Sequence, residues 1–165
     1  MASMYTAVFV LVAVYFENVY CCDSSWIGHN NRCYLFSHDT EYWIGALQMC
    51  RELGAQLVEI ETAAENTYLK AQAQVYAKDQ FWISLTDIGE EGSWMWMSSK
   101  ASINTTGFSD WYPGQPDNHG VDQNCAALYI NRAHHAPSWQ WSDIACASRN
   151  HYICEKPAGE GEVIG

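Results

Sequence analysis

Seven cysteines, at positions 21, 22, 33, 50, 125, 146 and 154, constrain this chain more than any other feature. Their chemistry depends on the compartment, and the N-terminus speaks to that. Residues 7–16 (AVFVLVAVYF) form an apolar run too short to cross a bilayer unaided. At an N-terminus such a run reads as the core of a secretory signal peptide. No later stretch has the 18 or so uninterrupted apolar residues of a membrane span, so no transmembrane anchor is expected. In a secreted chain cysteines pair, and seven leaves one over. Signal peptidase prefers small residues at −3 and −1, where Val19 and Cys21 are tolerable and Tyr20 at −1 would be poor. Cleavage between Cys21 and Cys22 leaves six cysteines. Earlier cleavage leaves Cys21 available for an interchain bridge. The expected organisation is a signal peptide over 1–21, one domain over 22–156, and an acidic, Gly-rich tail over 157–165 expected to be disordered. Six cysteines admit many pairings, and spacing alone does not choose among them.

A length of 165 residues suits one domain with a real core. The formal charge of −11 has the wrong sign for a nucleic-acid binder. It suits solubility, an extracellular setting or divalent cations, without choosing among them.

The pattern along the chain is α+β. Residues 32–37 (RCYLFS) are strand-like. From Thr40 a helical stripe runs through Trp43, Ala46, Leu47, Cys50 and Leu53, and Gly54 stops it. Residues 56–60 (QLVEI) read as a short strand. Thr62 with Glu65 forms a capping box that opens a second helix over about residues 63–75. Another strand spans 80–87. Residues 88–116 are rich in Gly, Ser, Asn and Trp and lack a period, and long irregular stretches in small domains are usually functional. Strand patterns resume at CAALYI, WQWSDI and HYICEK. Of the eight tryptophans, Trp82, Trp94, Trp96 and Trp141 sit in strand-like patterns and are expected in the core. Trp111 and Trp139 flank polar loops.

Residues 114–125, GQPDNHGVDQNC, concentrate oxygen-bearing side chains: Gln115, Asp117, Asp122 and Gln123. Ser142 and Asp143 follow in WSD. A Cys125–Cys146 bridge would hold the two segments together. Such a set of carboxylate and amide oxygens suits Ca2+, whereas zinc would prefer His or Cys. A cis bond before Pro116 would turn the residues on both its sides into one space. Asp, Asn, Pro and Gly are also ordinary turn residues, so a plain surface turn is the competing reading.

These residues resemble the C-type lectin domain family over about residues 22–156. CDSSWIGHNNRCY is similar to the N-terminal cysteine pair of the long-form domain. QMCRELGAQLVEI resembles its cysteine-bearing helix, and FWISL resembles its WIGL strand with Ser84 in place of glycine. EGSWMW, QPD, WSDIAC and YICE follow in the family's order. The resemblance implies the C-type lectin fold: two helices packed on small antiparallel sheets, a long irregular loop region, and the bridges Cys22–Cys33, Cys50–Cys154 and Cys125–Cys146. It implies a non-enzymatic, Ca2+-dependent sugar-binding protein. In that family the loop calcium takes two vicinal sugar hydroxyls, and Gln-Pro-Asp accompanies galactose-type sugars whereas Glu-Pro-Asn accompanies mannose-type ones. An amide donates hydrogen bonds and a carboxylate only accepts, so exchanging them reverses the order of donors and acceptors around the sugar.

Carried over position by position, the sugar-linked calcium would use Gln115, Asp117, Gln123, Ser142 and Asp143. The family usually has Glu at the position of Gln123 and Asn at that of Ser142, so this set has lost one charge and weaker calcium binding is expected. Asp122 is a possible compensating ligand. A weak auxiliary calcium site would use Asp87, Glu91, Asn118, Gln123 and Asn124. His119 holds the usual position of the aromatic residue that stacks on the sugar. Trp139 or the His134–His135 pair could approach from a neighbouring loop, and His119, His134 and His135 could alternatively hold zinc. Asn104 in NTT fits an N-glycosylation sequon. The expected partners are glycans ending in galactose or N-acetylgalactosamine, microbial ones included, in an innate-immune setting. A single such contact is weak and would call for several copies of the domain. The alternative keeps the fold and drops the sugar, leaving an acidic interaction or mineral-associated matrix protein.

Overall fold

The computed structural model describes residues 20–119, 122–131 and 138–160. The expected signal core, His134, His135 and residues 161–165 lie outside these. In chain order the elements are β1 (Tyr20–Cys21), β2 (Ile27–His29), β3 (Arg32–Phe36), α1 (Trp43–Glu52), β4 (Gln56–Leu57), α2 (Ala63–Tyr76), β5 (Gln80–Thr86), β6 (Met95–Trp96), α3 (Ile103–Thr106), β7 (Cys125–Asn131), β8 (Ser138–Ile144), β9 (His151–Pro157) and β10 (Gly159–Glu160).

Period-two alternation explains how one mixed sheet supports two cores. On β5, Phe81, Ile83 and Leu85 point to one side and Trp82 to the other. Ala126, Leu128 and Ile130 on β7, and Ile153 on β9, join the first side. Cys125, Ala127, Tyr152 and Cys154 join the second. The sheet order is β2-β3-β9-β5-β7-β8, with β4 added on β9 and β6 on β5. All pairings in this sheet are antiparallel except β5 with β9. Helix α2 covers the first side through Leu69 and Ala73. Helix α1 covers the second through Trp43, Ala46, Leu47 and Cys50. The two faces are also joined by indole donors: Trp43 Nε1 to the Ile83 carbonyl and Trp82 Nε1 to the Glu41 carbonyl, both 2.9 Å.

Three bridges close the fold: Cys22–Cys33, Cys50–Cys154 and Cys125–Cys146. Helix α2 opens with the Thr62 hydroxyl accepting from the Glu65 N–H at 3.2 Å. The Glu65 carboxylate reaches back to the Glu61 N–H at 3.1 Å and accepts from the Tyr34 hydroxyl at 2.7 Å. The capping box is therefore also a tie to β3.

Four local expectations need correcting. Helix α1 starts at Trp43 rather than Thr40, because Glu41 exchanges main-chain hydrogen bonds with Asn150. Leu53 is the C-cap and is 44 % exposed, so the buried stripe ends at Cys50. Strand character in QLVEI is confined to Gln56–Leu57, although the Val58 main chain still bonds to both Ile153 and Ser84. The tail is ordered through Glu160: Gly159–Glu160 pairs antiparallel with Tyr20–Cys21, and the Ala158 N–H donates to the Asn31 carbonyl at 2.9 Å. Composition argued for disorder because the tail has little to bury, but main-chain pairing needs no side chain. This strand pair exists only in a chain that keeps residues 20–21, on the N-terminal side of the expected cleavage point.

The irregular stretch is fastened by a buried polar chain. Trp141 Nε1 donates to Asn66 Oδ1 at 3.1 Å, and Asn66 Nδ2 donates to Asp110 Oδ2 at 2.6 Å. Lys70 Nζ reaches the same Asp110 oxygen at 2.7 Å. Asn66 is only 4 % exposed. Asn66→Ala should therefore lower stability by about 1–3 kcal/mol, since it strands the buried Trp141 indole donor and leaves Lys70 as the remaining partner of that Asp110 oxygen. Urea unfolding measures this, and a neutral result would show that water replaces the amide.

Candidate functional site

The polar loop is positioned by β8. Along this strand Trp139, Trp141 and Asp143 alternate inward, so the pleat that buries two tryptophans also buries Asp143, at 1 % exposure. The main chain of residues 110–112 runs beside it: Trp141 N donates to the Asp110 carbonyl and Tyr112 N to the Trp141 carbonyl, both 2.8 Å. A turn then closes from the Gln115 N–H to the Tyr112 carbonyl at 2.8 Å, and Gly114 takes the φ of 93° that the turn requires. The Cys125–Cys146 bridge clamps the start of β7 to the residues just beyond β8. These constraints set Gln115 beside Ser142 and Asp143.

The contacts there are dense. Gln115 Oε1 accepts from the Ser142 hydroxyl at 3.1 Å and the Asp143 N–H at 3.3 Å. The Asp143 carboxylate accepts from the Asp117 N–H at 3.2 and 3.3 Å and from the Asn118 N–H at 2.7 Å. The peptide bond before Pro116 is cis, and Gln115 and Asp117 on its two sides both bond to Asp143. Asp117 Oδ1 accepts from the His119 N–H at 3.0 Å, and Asn118 Oδ1 accepts from the Gln123 N–H at 3.2 Å. Asp87 is tied to the same region: its N–H donates to the Asn124 carbonyl at 3.2 Å, and the Thr86 hydroxyl donates to that carbonyl at 2.6 Å.

Three oxygens in this region are buried with no hydrogen-bond partner in the structure: Asp87 Oδ1, Gln123 Oε1 and Asn124 Oδ1. Unpartnered buried oxygens are costly. Burial raises the Asp87 pKa above its ordinary value; the Gly92 N–H on its other oxygen, 2.8 Å away, opposes this, and the Asp143 charge adds to it. Hard cations take oxygen donors of this kind, so the residues present fit calcium. The charge count left the auxiliary set looking weak, yet all three orphaned oxygens belong to it. Burial follows from packing against β5 and β7, and no charge count in the sequence reports it.

The other predicted residues are scattered. Glu91 and Asp122 are exposed, and Asp122 has a φ of 68°. His119 is exposed with no ring against it among the described residues. His134 and His135 lie outside the described residues. Trp139 is corrected: it is 5 % exposed and packs near Phe81, so it belongs to the core and not to a sugar platform. Trp111 stacks edgewise on Trp94 and Trp141. Asn104 is exposed on α3. The Asn66–Asp110 tie that holds the loop against α2 has no signature in the sequence beyond polar residues at unremarkable spacing.

A fold of two helices on this mixed sheet, closed by these bridges, is matched by sequence as well. The family model described as Lectin C-type domain covers residues 39–156. The chain belongs to the C-type lectin domain family. The lectins of this family are carbohydrate-binding proteins and not enzymes. Among relatives of this C-type lectin domain, the hepatic lectin of Gallus gallus is 32 % identical over 132 residues, 80 % of this chain and 58 % of its own. C-type lectin domain family 10 member A of Homo sapiens is 33 % identical over 146 residues, 85 % of this chain and 42 % of its own. The chain thus spans between about two fifths and three fifths of these two relatives. Among solved structures, the mouse scavenger receptor C-type lectin carbohydrate-recognition domain has a TM-score of 0.71 at 30 % identity, covering 84 % of this chain and all of that one (100 %). No helix among the described residues of this C-type lectin domain is long and apolar enough to cross a membrane.

Proposed function

We propose that the chain is a secreted, calcium-dependent lectin of galactose type, binding glycans that end in galactose or N-acetylgalactosamine. The observation that carries this reading is the convergence of Gln115, Asp117 and Ser142 on Asp143, whose carboxylate is buried, with an unpartnered oxygen on Gln123, itself bonded to Asn118. Gln115, Asp117, Gln123, Ser142 and Asp143 would hold the sugar-linked calcium, and Asp87, Glu91, Asn118, Gln123 and Asn124 the auxiliary one. Bound calcium would supply a hard cation for two vicinal sugar hydroxyls. The chain's own part is to aim donors and acceptors. Gln115 turns its carbonyl oxygen inward to Ser142 and Asp143, which leaves its amide N–H groups to donate to a sugar. Asp117 offers acceptors only. The printed names of the relatives and neighbours, a hepatic lectin and a carbohydrate-recognition domain among them, support a sugar ligand.

The test is elution. The full chain should be retained on immobilised galactose in millimolar calcium and released by chelator. Failure to bind would sink the reading. A second reading, an acidic interaction or matrix protein with a decayed sugar site, is favoured by the direct Ser142–Gln115 hydrogen bond, in which two candidate ligands satisfy each other.

Gln123 offers a direct test of metal ligation. Gln123→Glu restores one charge to the ligand set and should tighten calcium binding about tenfold or more. In chelator the same variant should be less stable than the parent, since the new carboxylate would be desolvated among acids. Calorimetric calcium titration reads the first effect. An unchanged titration would mean that Gln123 is not a ligand.

A further inference from the structure

Beside the tripeptide lies a cavity of about 410 Å3, lined chiefly by Trp94, Ile103, Phe108, Trp111, Asn104 and Pro116. That volume is in the range of small-ligand sites, about 300–1,000 Å3. Its walls are aromatic: Trp94 and Trp111 meet edgewise with centroids 4.8 Å apart, and Phe108 packs edge-on against Trp141 at 5.7 Å. Trp111 and Phe108 are half-buried, and both line the cavity. Asn104, the acceptor of the NTT sequon, stands on the rim in the single turn of α3. That turn is fixed by the Ser102 side chain, which accepts from the Asn104 N–H at 3.3 Å, and by Gly107 at a φ of 71°. Pro116, which also lines the cavity, lies between Gln115 and Asp117.

We propose that this cavity seats the first N-acetylglucosamine of a glycan carried on Asn104, and that the rest of this glycan screens one flank of the Gln115–Asp117 loop. A pyranose ring has an apolar face that packs on aromatic rings, and its acetamido methyl suits an indole wall. The contact is weak by itself, but the covalent tether gives it a high effective concentration. The seated sugar touches Pro116, and the antennae that follow it leave along the edge of the tripeptide. The domain would then admit terminal sugars and disfavour bulky branched ligands. The seat requires only that the sequon be occupied, whereas the screening rests on the proposed sugar site.

The experiment uses the full chain secreted from glycosylating eukaryotic cells with 13C-labelled sugars. Glycopeptide mass spectrometry should find Asn104 occupied. After an endoglycosidase trims the glycan to one N-acetylglucosamine, its protons should show ring-current shifts and cross-relaxation to the Trp111 and Phe108 rings. An amidase that cuts at the asparagine should act about five- to tenfold faster on native Phe108→Ala than on the parent, the worth of one aromatic contact. The trimmed parent needs no substitution, so misfolding of the variant leaves the question decidable. An empty Asn104, or sugar resonances at free-glycan positions, overturns the seat. For the screening, Asn104→Gln should bind branched galactose-ended glycans more tightly than the parent and bind free galactose equally. Equal binding of branched glycans by both overturns the screening. Binding of no galactose ligand by either overturns the lectin reading, while the resonances still decide the seat.

Discussion

On the lectin reading proposed above, replacing Gln115 by Glu together with Asp117 by Asn is expected to move sugar preference from galactose type toward mannose type. In this structure the Gln115 carbonyl oxygen is occupied by the Ser142 hydroxyl and the Asp143 N–H. A glutamate there can keep both bonds with one carboxylate oxygen and offer the other as an acceptor. At 117, an asparagine offers a donor where the carboxylate offered none. The donor and acceptor that flank the sugar hydroxyls exchange places, and hydroxyl pairs of opposite stereochemistry are then favoured. The swap moves a carboxylate without adding or removing one, so the charge of the ligand set is conserved and calcium affinity should change little. That separates sugar choice from metal loss. Each preference should change by about tenfold or more, which corresponds to about 1.4 kcal/mol of discrimination. Competition on galactose resin with free galactose and free mannose gives the ratio. An unaltered ratio at unaltered calcium affinity would mean that the tripeptide does not touch the sugar.

The other large effect concerns folding. Cys50 and Cys154 are fully buried and their bridge spans 104 residues, so it constrains most of the domain in the unfolded chain. Loop-closure arithmetic puts its contribution at about 4–5 kcal/mol, against about 3 kcal/mol for a loop as short as that of Cys22–Cys33. A domain of this size is stable by about 5–15 kcal/mol in all. Cys50→Ala with Cys154→Ala should therefore remove a large part of the margin and leave a substantial unfolded population at physiological temperature. Cys22→Ala with Cys33→Ala should be milder. Urea midpoints for the two double variants give the comparison. Equal losses would show that packing of α1 on β4 and β9, not chain closure, dominates.

What the sequence made legible was local or periodic. The stripe Trp43, Ala46, Leu47, Cys50 named the buried face of α1, and Thr62 with Glu65 marked the start of α2. Strand-like apolar runs marked β5, β7 and β9, and apolar–polar alternation marked β8. What stayed hidden was decided by distant partners. Asn150 holds Glu41 out of α1, and Tyr20–Cys21 pairs with Gly159–Glu160 through the main chain. Trp139 reads equally well as core or platform until β8 has a register with β7, where it pairs with Ile130. The site divides in the same way. Gln115, Asp117, Ser142 and Asp143 drew attention as residue types beside two cysteines. The burial of Asp87 and the orphaned oxygens of Gln123 and Asn124 arise only when β5 and β7 close over them.

The sheet order has a mechanical consequence. Cys22, near the start of the described residues, is bridged to β3, and Pro157, near their end, pairs with Arg32 on that same strand. Both attachment points lie on the β2-β3-β9 side, while the tripeptide is held against β8 at the far edge. Tension applied through the two ends runs along one margin of the molecule, through a covalent staple and a short strand ladder. The Gln115–Asp117 loop is off that line. A tether joined at either margin strand therefore enters the domain away from the Gln115–Asp117 loop.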